Sequence, residues 1–509
     1  IMTIYMIDPL SFFFRDFMLI RKSVLDEQSK YPSRFQRLLL TMLILKASGT
    51  KYGKAHNFIK IRSIKSFQKN VPINHYADLK PYISQMMNGK ANILWPGKMK
   101  YFTKSSGTTG ESKYIPVSRG ALLGCHFQGG KDMVALYMRS NPKTHLFSGK
   151  VLSLCGSMYS FPENPNIEVG DISAIMTKNL PILAKLFRFP PPELALRDDW
   201  EDKIEEISER AINENIVGLL GAPMWMIVFI KKVLEKSGKK SIHDVWPNLE
   251  VFMHGGISFK PYRPVFDELF KGKEIKYIES YNASEGYFAI QDDMERWGEM
   301  RLMLDAGVFY EFIPLSEYEK GVYTSACTVK EVELGVNYVI VITTNAGLWR
   351  YVIGDTVMFT TLSPLRIKIT GRTKQYLNVY DEDITVEQIE HSVMVACNKT
   401  NSEISDFTMC ATKPEKDGKG EHEWIIEFSI PPSDINQFNE YLDKALMIEN
   451  IYYGERRSND VVLRKPIIHI VSEKTFYNWM KSKDRLGGQF KIPRISNSRE
   501  HVEAILNLK

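Results

Sequence analysis

The run Lys104-Ser105-Ser106-Gly107-Thr108-Thr109-Gly110-Glu111-Ser112-Lys113 places four hydroxyls and two glycines in six residues and then ends on a lysine. Glycine lets successive backbone N–H groups turn onto one anion, and Ser and Thr hydroxyls add neutral donors that rotate to fit. Such a segment can cradle the phosphates of a nucleotide; taken alone it suits a solvated surface loop equally well. It is not a Walker loop, because Lys113 stands three residues beyond Gly110 and is followed by Tyr114. Gly124–Lys131 comes nearer in spacing but is one residue too long, and Asp132 replaces the required hydroxyl.

Four further segments carry residues of the right types. His254-Gly255-Gly256-Ile257 follows an apolar run that reads as a strand, and glycines at the carboxyl end of a strand permit close approach of a ligand. Tyr281-Asn282-Ala283-Ser284-Glu285-Gly286 follows another, where a tyrosine ring could stack on a purine and a carboxylate could hold Mg²⁺. By themselves, Tyr281 equally reads as core and Glu285 as a surface acid. Leu348-Trp349-Arg350-Tyr351-Val352-Ile353-Gly354-Asp355 offers aromatic residues for packing and a carboxylate suited to two ribose hydroxyls. Beyond it, Gly371-Arg372 brings a guanidinium of the geometry that phosphate or ribose oxygens require. The last segment, Leu486-Gly487-Gly488-Gln489-Phe490-Lys491-Ile492-Pro493-Arg494, sets a lysine between glycines and a proline.

These segments need elements to hold them. Residues 10–95 read mainly as helix, with Asn74 as the expected cap of a helix over Asp78–Met87 and a further helical stretch over Arg119–Arg139. From Val151 the pattern alternates: strands at Val151–Leu154, Ile216–Leu220, Leu249–Met253 and Ile275–Ser280 are separated by helices at Asp202–Asn213, Trp225–Lys236 and Phe266–Phe270. Short apolar strands alternating with amphipathic helices predict a largely parallel sheet. Tyr338–Thr343, Asp355–Thr361 and Arg366–Thr370 read as antiparallel strands of a small barrel or second sheet, and 370–383 as a hinge. The remainder reads as α+β, with a long strand expected over Val461–Ile470. The expectation is an α/β protein: a large N-terminal domain (1–376) with mixed and parallel sheets flanked by helices plus a small barrel-like sheet, then a small, mobile α+β C-terminal domain (377–509).

At 509 residues the chain exceeds a single ordinary core. A net charge of +6 with lysines and acids interspersed gives no nucleic-acid footprint. No apolar run spans a bilayer; Leu38–Leu45 is far too short. Asp8, Arg15 and Asp16 interrupt the apolar N-terminus, which argues against a cleaved signal peptide. Five scattered cysteines without C-x-x-C spacing predict neither a disulfide framework nor a zinc site, and hence a reducing cytoplasmic compartment.

In their order the five segments resemble the adenylate-forming superfamily. More narrowly, the doubled Ser105-Ser106, the upstream Val71-Pro72-Ile73…Tyr76, Gly371-Arg372-Thr373…Gln375-Tyr376-Leu377-Asn378 and Gln489-Phe490-Lys491-Ile492-Pro493-Arg494 resemble the Gretchen Hagen acyl acid–amido synthetases of the auxin-responsive promoter family, over roughly residues 35–495. Asp381 and Trp349 depart from that family's usual glycine and tyrosine. The resemblance implies ATP and Mg²⁺ as cofactors, and a small carboxylic acid and an amine, expected to be an amino acid, as substrates. It implies that Ser105, Ser106, Thr108 and Thr109, with Gly107, Gly110 and Lys113, hold the ATP phosphates. Tyr281 would stack on adenine near Gly255 and Gly256, with Asn282, Ser284 and Gly286 beside it. Asp355 would bind ribose, Arg372 ribose or phosphate, and Glu285 the metal. Lys491 would swing onto the α-phosphate. An acyl pocket is expected within 120–230, where Met158, Tyr159, Phe161, Met224 and Trp225 could line it. The function expected is activation of the acid to an acyl-adenylate and transfer to the amine. An acyl-CoA ligase shares the first step, and a non-catalytic nucleotide-binding protein would share the loop but has no use for the late lysine.

Overall fold

The computed structural model describes residues 9–105, 113–256, 259, 262–373, 376–377, 380, 382, 384–412, 419–460, 462–483, 491–496 and 499–508. After the N-terminal helices the chain forms a hairpin, β1 (Tyr101–Ser105) and β2 (Lys113–Val117), and then β3 (Lys150–Ser153). β4 (Met158–Phe161) and β5 (Asn164–Gly170) follow, then β6 (Arg188–Phe189), β7 (Ile216–Gly221), β8 (Val251–Gly255), β9 (Lys276–Ala283) and β10 (Gly286–Ile290). Next come β11 (Met300–Leu302), β12 (Val308–Pro314), β13 (Cys327–Thr328), β14 (Asn337–Thr344), β15 (Tyr351–Leu362) and β16 (Leu365–Arg372).

β2-β1-β5-β4 form one small sheet, and the rest form a twelve-stranded sheet in the order β13-β12-β14-β15-β16-β11-β10-β9-β8-β7-β3-β6. The parallel run expected from the alternating pattern is present: β9, β8, β7, β3 and β6 pair parallel in succession. Its central strands carry apolar runs, as burial on both faces requires; in β8, Val251, Phe252 and Met253 are all buried. The antiparallel strands after residue 308 form as expected, but they hydrogen-bond into the same large sheet rather than closing a separate barrel. β10 and β11 make the join, pairing antiparallel with β9 on one side and β16 on the other.

Two local expectations are corrected. The helix over Tyr76–Met87 starts earlier and is capped by His75, whose backbone N–H donates to Asp78 Oδ2 at 2.7 Å in a capping box. The Asn74 side chain instead donates to Tyr52 Oη (2.9 Å) and Trp349 O (2.7 Å). The stretch 119–140 is helical but interrupted, with a π-helical turn at Leu122–His126 between Arg119–Ala121 and Phe127–Ser140.

Contacts divide the chain into two units: 1–257 with 270–353 and 357–369, and 258–269 with 354–356 and 370–509. The second has its own sheet, of β19 (Glu403–Ala411), β20 (His422–Ile430), β21 (Ile467–Val471) and β22 (Ile495–Ser496), numbered after the short hairpin strands β17 (Tyr376–Leu377) and β18 (Ile384–Thr385). Their order is β21-β20-β19-β22. β21 is shorter than expected, because Pro466 lies just before it and cannot donate to a ladder. Helices Val386–Thr400 and Ile435–Glu449 cover the sheet through Ile389, Val393, Phe438, Leu442 and Leu446, packed with Phe407, Met409, Trp424 and Ile426.

Candidate functional site

In the first unit, the hydroxyl-rich segment is the connection of the β1–β2 hairpin. Ser105 and Lys113 are paired across the two strands, so the backbone delivers both ends of the segment to one point. Ser106, Gly107, Thr108, Thr109 and Gly110 lie outside the described residues. Lys113 Nζ stands over the Tyr76 ring at 5.9 Å, and Tyr114 N donates to Tyr76 Oη at 2.8 Å. Two residues before Tyr76, Asn74 N donates to Arg350 O (2.8 Å) and Val352 N donates to Asn74 O (2.9 Å). The short peptide 74–76 thus ties the hairpin to the strand that leads to Asp355, which gives the Val71…Tyr76 motif a physical purpose.

Arg350 adopts φ +41, a conformation costly for a long side chain, and it is held there from both ends. Its guanidinium makes a bidentate pair with buried Glu311 (2.9 and 3.0 Å) and donates to Val71 O and Gln68 O. Trp349 is fully buried against Phe58, Trp95 and Tyr52. Both serve packing.

The second and third segments are neighbours, since Gly255 on β8 is in register with Ser280 on β9. A Cβ at Gly255 would stand 2.4 Å from Ser280 O, so only glycine lets these strand ends approach. Gly256 then turns with φ +89. Tyr281 is 5% exposed, with its ring edge-on to Phe288 at 4.9 Å, and it belongs to the large core. Ser284 and Glu285 form the two-residue turn between β9 and β10, where Gly286 pairs with Ala283. Glu285 is half-buried there. No group of three or more potential metal ligands occurs among the described residues. One carboxylate at a turn fits Mg²⁺, which takes most of its ligands from phosphates and water.

His126, which the sequence reading did not single out, touches one of the predicted residues, Asn282. It lies in the π-helical turn, and its Nδ1 is 3.2 Å from Asn282 Oδ1. Complete burial holds the imidazole down to about 4, against the raising effect of Asn282, so it is neutral at physiological pH. A neutral ring donating from Nδ1 fixes the Asn282 amide. The π turn is a structural signal that recurs at functional sites and has no sequence signature here.

In the second unit two sequence-predicted residues bond directly, and a third, Lys491, feels the charge of both. Arg372 Nε donates to Asp355 Oδ1 at 2.7 Å. Asp355 is 7% exposed, whereas the Arg372 side chain is about half exposed. Lys491, open to solvent on one side, senses both: its ammonium is lowered from its ordinary value to about 8, first by loss of surrounding water and then by the Arg372 charge, against the pull of Asp355. A cation of this kind, mostly charged at neutral pH and beside a second cation, suits stabilisation of a phosphoryl oxygen.

Of the residues expected near an acyl group, Met158, Tyr159 and Phe161 occupy β4, the edge strand of the small sheet that also carries the hydroxyl-rich hairpin. Lys104 Nζ stands 6.0 Å over the Tyr159 ring, and Phe161 packs edge-on to Tyr114. Trp225 is 4% exposed and belongs to the interior.

This fold is shared with solved structures. It matches GH3.15 acyl acid amido synthetase with a TM-score of 0.79 at 17% identity over 95% of each chain. It matches 2-hydroxyisobutyryl-CoA ligase in the postadenylation state with a TM-score of 0.60 at 11% identity, over 92% of this chain and 90% of that one. The chain belongs to the GH3 family: residues 21–275 match the GH3 family N-terminal domain, 301–372 the central domain and 387–500 the C-terminal domain. Similar sequences include indole-3-acetic acid-amido synthetase GH3.4 of Arabidopsis thaliana, 25% identical over 92% of this chain and 90% of that protein. Jasmonoyl-L-amino acid synthetase JAR4 of Nicotiana attenuata is 22% identical over 92% and 91%.

Proposed function

We propose that this protein is an ATP-dependent acyl acid–amido synthetase acting on a small carboxylic acid and an amino acid. The observation that carries the reading is the bond between Arg372 and Asp355, with Lys491 within reach of both charges, in a chain that matches all three GH3 domains.

A carboxylate is a poor acyl donor because oxide is a poor leaving group. Attack of its oxygen on the α-phosphorus of ATP forms the acyl-adenylate and expels pyrophosphate. The barrier lies in bringing anions together and spreading charge over phosphoryl oxygens, so cations and oriented donors do most of the work. In this reading the 105–110 loop and Lys113 receive the phosphates, Asp355 orients ribose and Lys491 meets the α-phosphate. Tyr281 borders the adenine beside Gly255 and Gly256, and His126 keeps Asn282 oriented next to it. Glu285 would hold Mg²⁺, which supplies positive charge to the phosphates when bound. In the second step the amine nitrogen attacks the acyl carbon, AMP departs and the amide remains. No side-chain nucleophile is needed.

No helix among the described residues is long and apolar enough to cross a membrane, and a cytoplasmic site of action fits the free cysteines. The test is pyrophosphate exchange into ATP across a panel of carboxylic acids that includes indole-3-acetic and jasmonic acids, followed by addition of amino acids or CoA. Acid-dependent exchange followed by an amide of the expected mass is the predicted result. A thioester in place of the amide would move the assignment to an acyl-CoA ligase, and no exchange with any acid would reject it.

A further inference from the structure

Residues 258–269 stand in the sequence between β8 and β9. Their contacts nevertheless gather with the C-terminal residues. The centre of this association is Arg494, three residues after Lys491. Its guanidinium is buried, donates through Nη1 to the Asp406 carboxylate and to Phe407 O (2.7 Å), and lies over the Phe407 ring at 4.3 Å. Glu390 Oε1 is 3.8 Å from Nε. All of these partners belong to the C-terminal fold itself. Through Nη2, Arg494 donates to the Tyr262 hydroxyl, from a tyrosine 2% exposed at the start of helix Arg263–Leu269.

The same four residues, 491–494, are fixed on their other side. Thr408 Oγ1 donates to Pro493 O and Met409 N donates to Arg494 O (3.0 Å), which aligns β22 beside β19. The Lys491 backbone is therefore set by Arg494, and Arg494 is tied to Tyr262.

We propose that Tyr262 is a positioning residue for the first half-reaction: its hydroxyl holds Arg494, and through it the segment that carries Lys491, in place for adenylation. This rests on the functional reading above. The test uses Tyr262→Phe in the full chain, which keeps the ring and removes one oxygen. The two half-reactions are measured apart, as acid-dependent pyrophosphate exchange and as single-turnover transfer from preformed indole-3-acetyl-AMP, or the adenylate of the best panel acid, to a mixture of amino acids. The expected result is a fall of about tenfold or more in exchange kcat, with KM for ATP within about twofold and transfer not slowed. Arg494→Lys, which keeps the charge facing Asp406 but cannot span to Tyr262, is expected to give the same asymmetry. Equal losses in both half-reactions, as a merely structural role would produce, or no loss in exchange, would overturn the proposal. A wild-type chain without acid-dependent exchange would instead reject the functional reading, and the proposal with it.

Discussion

Lys491 and its neighbours decide the chemistry at the smallest scale. Crowding and the Arg372 charge disfavour its ammonium, so the group is cationic below about pH 8 and loses its charge above it. If that charge stabilises the α-phosphoryl oxygens, exchange should hold steady near neutrality and decline about tenfold per pH unit above 8. Lys491→Ala should lower exchange by about two orders of magnitude at pH 7 and remove the alkaline limb, while ATP binding measured by calorimetry stays close to wild type. A variant with unchanged rate and unchanged limb would show that the lysine has no such role. Lys491 stands out in the sequence only through the family resemblance, since a lysine in a glycine-flanked, proline-stopped loop is by itself usually solvated. The Arg372–Asp355 pair was not legible there, since two residues each suited to a nucleotide give no sign in sequence that they bind each other.

At the scale of elements, the glycines of the strand ends show how backbone geometry precedes chemistry. Gly255→Ala would drive a methyl group into Ser280 O and force β8 from β9, so a loss of about 1–3 kcal/mol in urea unfolding is expected, together with a raised KM for ATP. Gly130→Ala, in helix Phe127–Ser140 with open space around the added carbon, should be neutral or slightly stabilising. The difference between the two isolates close approach from mere loss of glycine. The parallel strands could be placed from sequence because burial on both faces makes them short apolar runs. β4 and β5 escaped notice, since Asn164, Asn166 and Glu168 break any apolar pattern there. Asn74 was misread for a related reason: a polar residue before a helix has the signature of a cap, but this one is buried and spends its amide on Tyr52 and Trp349.

For the whole molecule, the sequence did not reveal that the antiparallel strands continue the parallel sheet; strand pairing depends on partners far apart in the chain. All five scattered cysteines are free. Burial raises every thiol, Cys327 and Cys397 to about 11 and Cys125 and Cys410 to about 12, and Cys155 likewise upward. Their nucleophilic thiolate forms are therefore scarce at neutral pH. Iodoacetamide at pH 7.5 should leave exchange activity unaltered, and reductant should not move the melting temperature; inactivation that tracks alkylation of one cysteine would contradict this.

The placing of β4 on the rim of the small sheet carries a consequence for diversification. Among the described strands one flank of β4 has no ladder to preserve, so the exposed Tyr159 can be exchanged for a bulkier or leaner residue without costing a strand partner on that side.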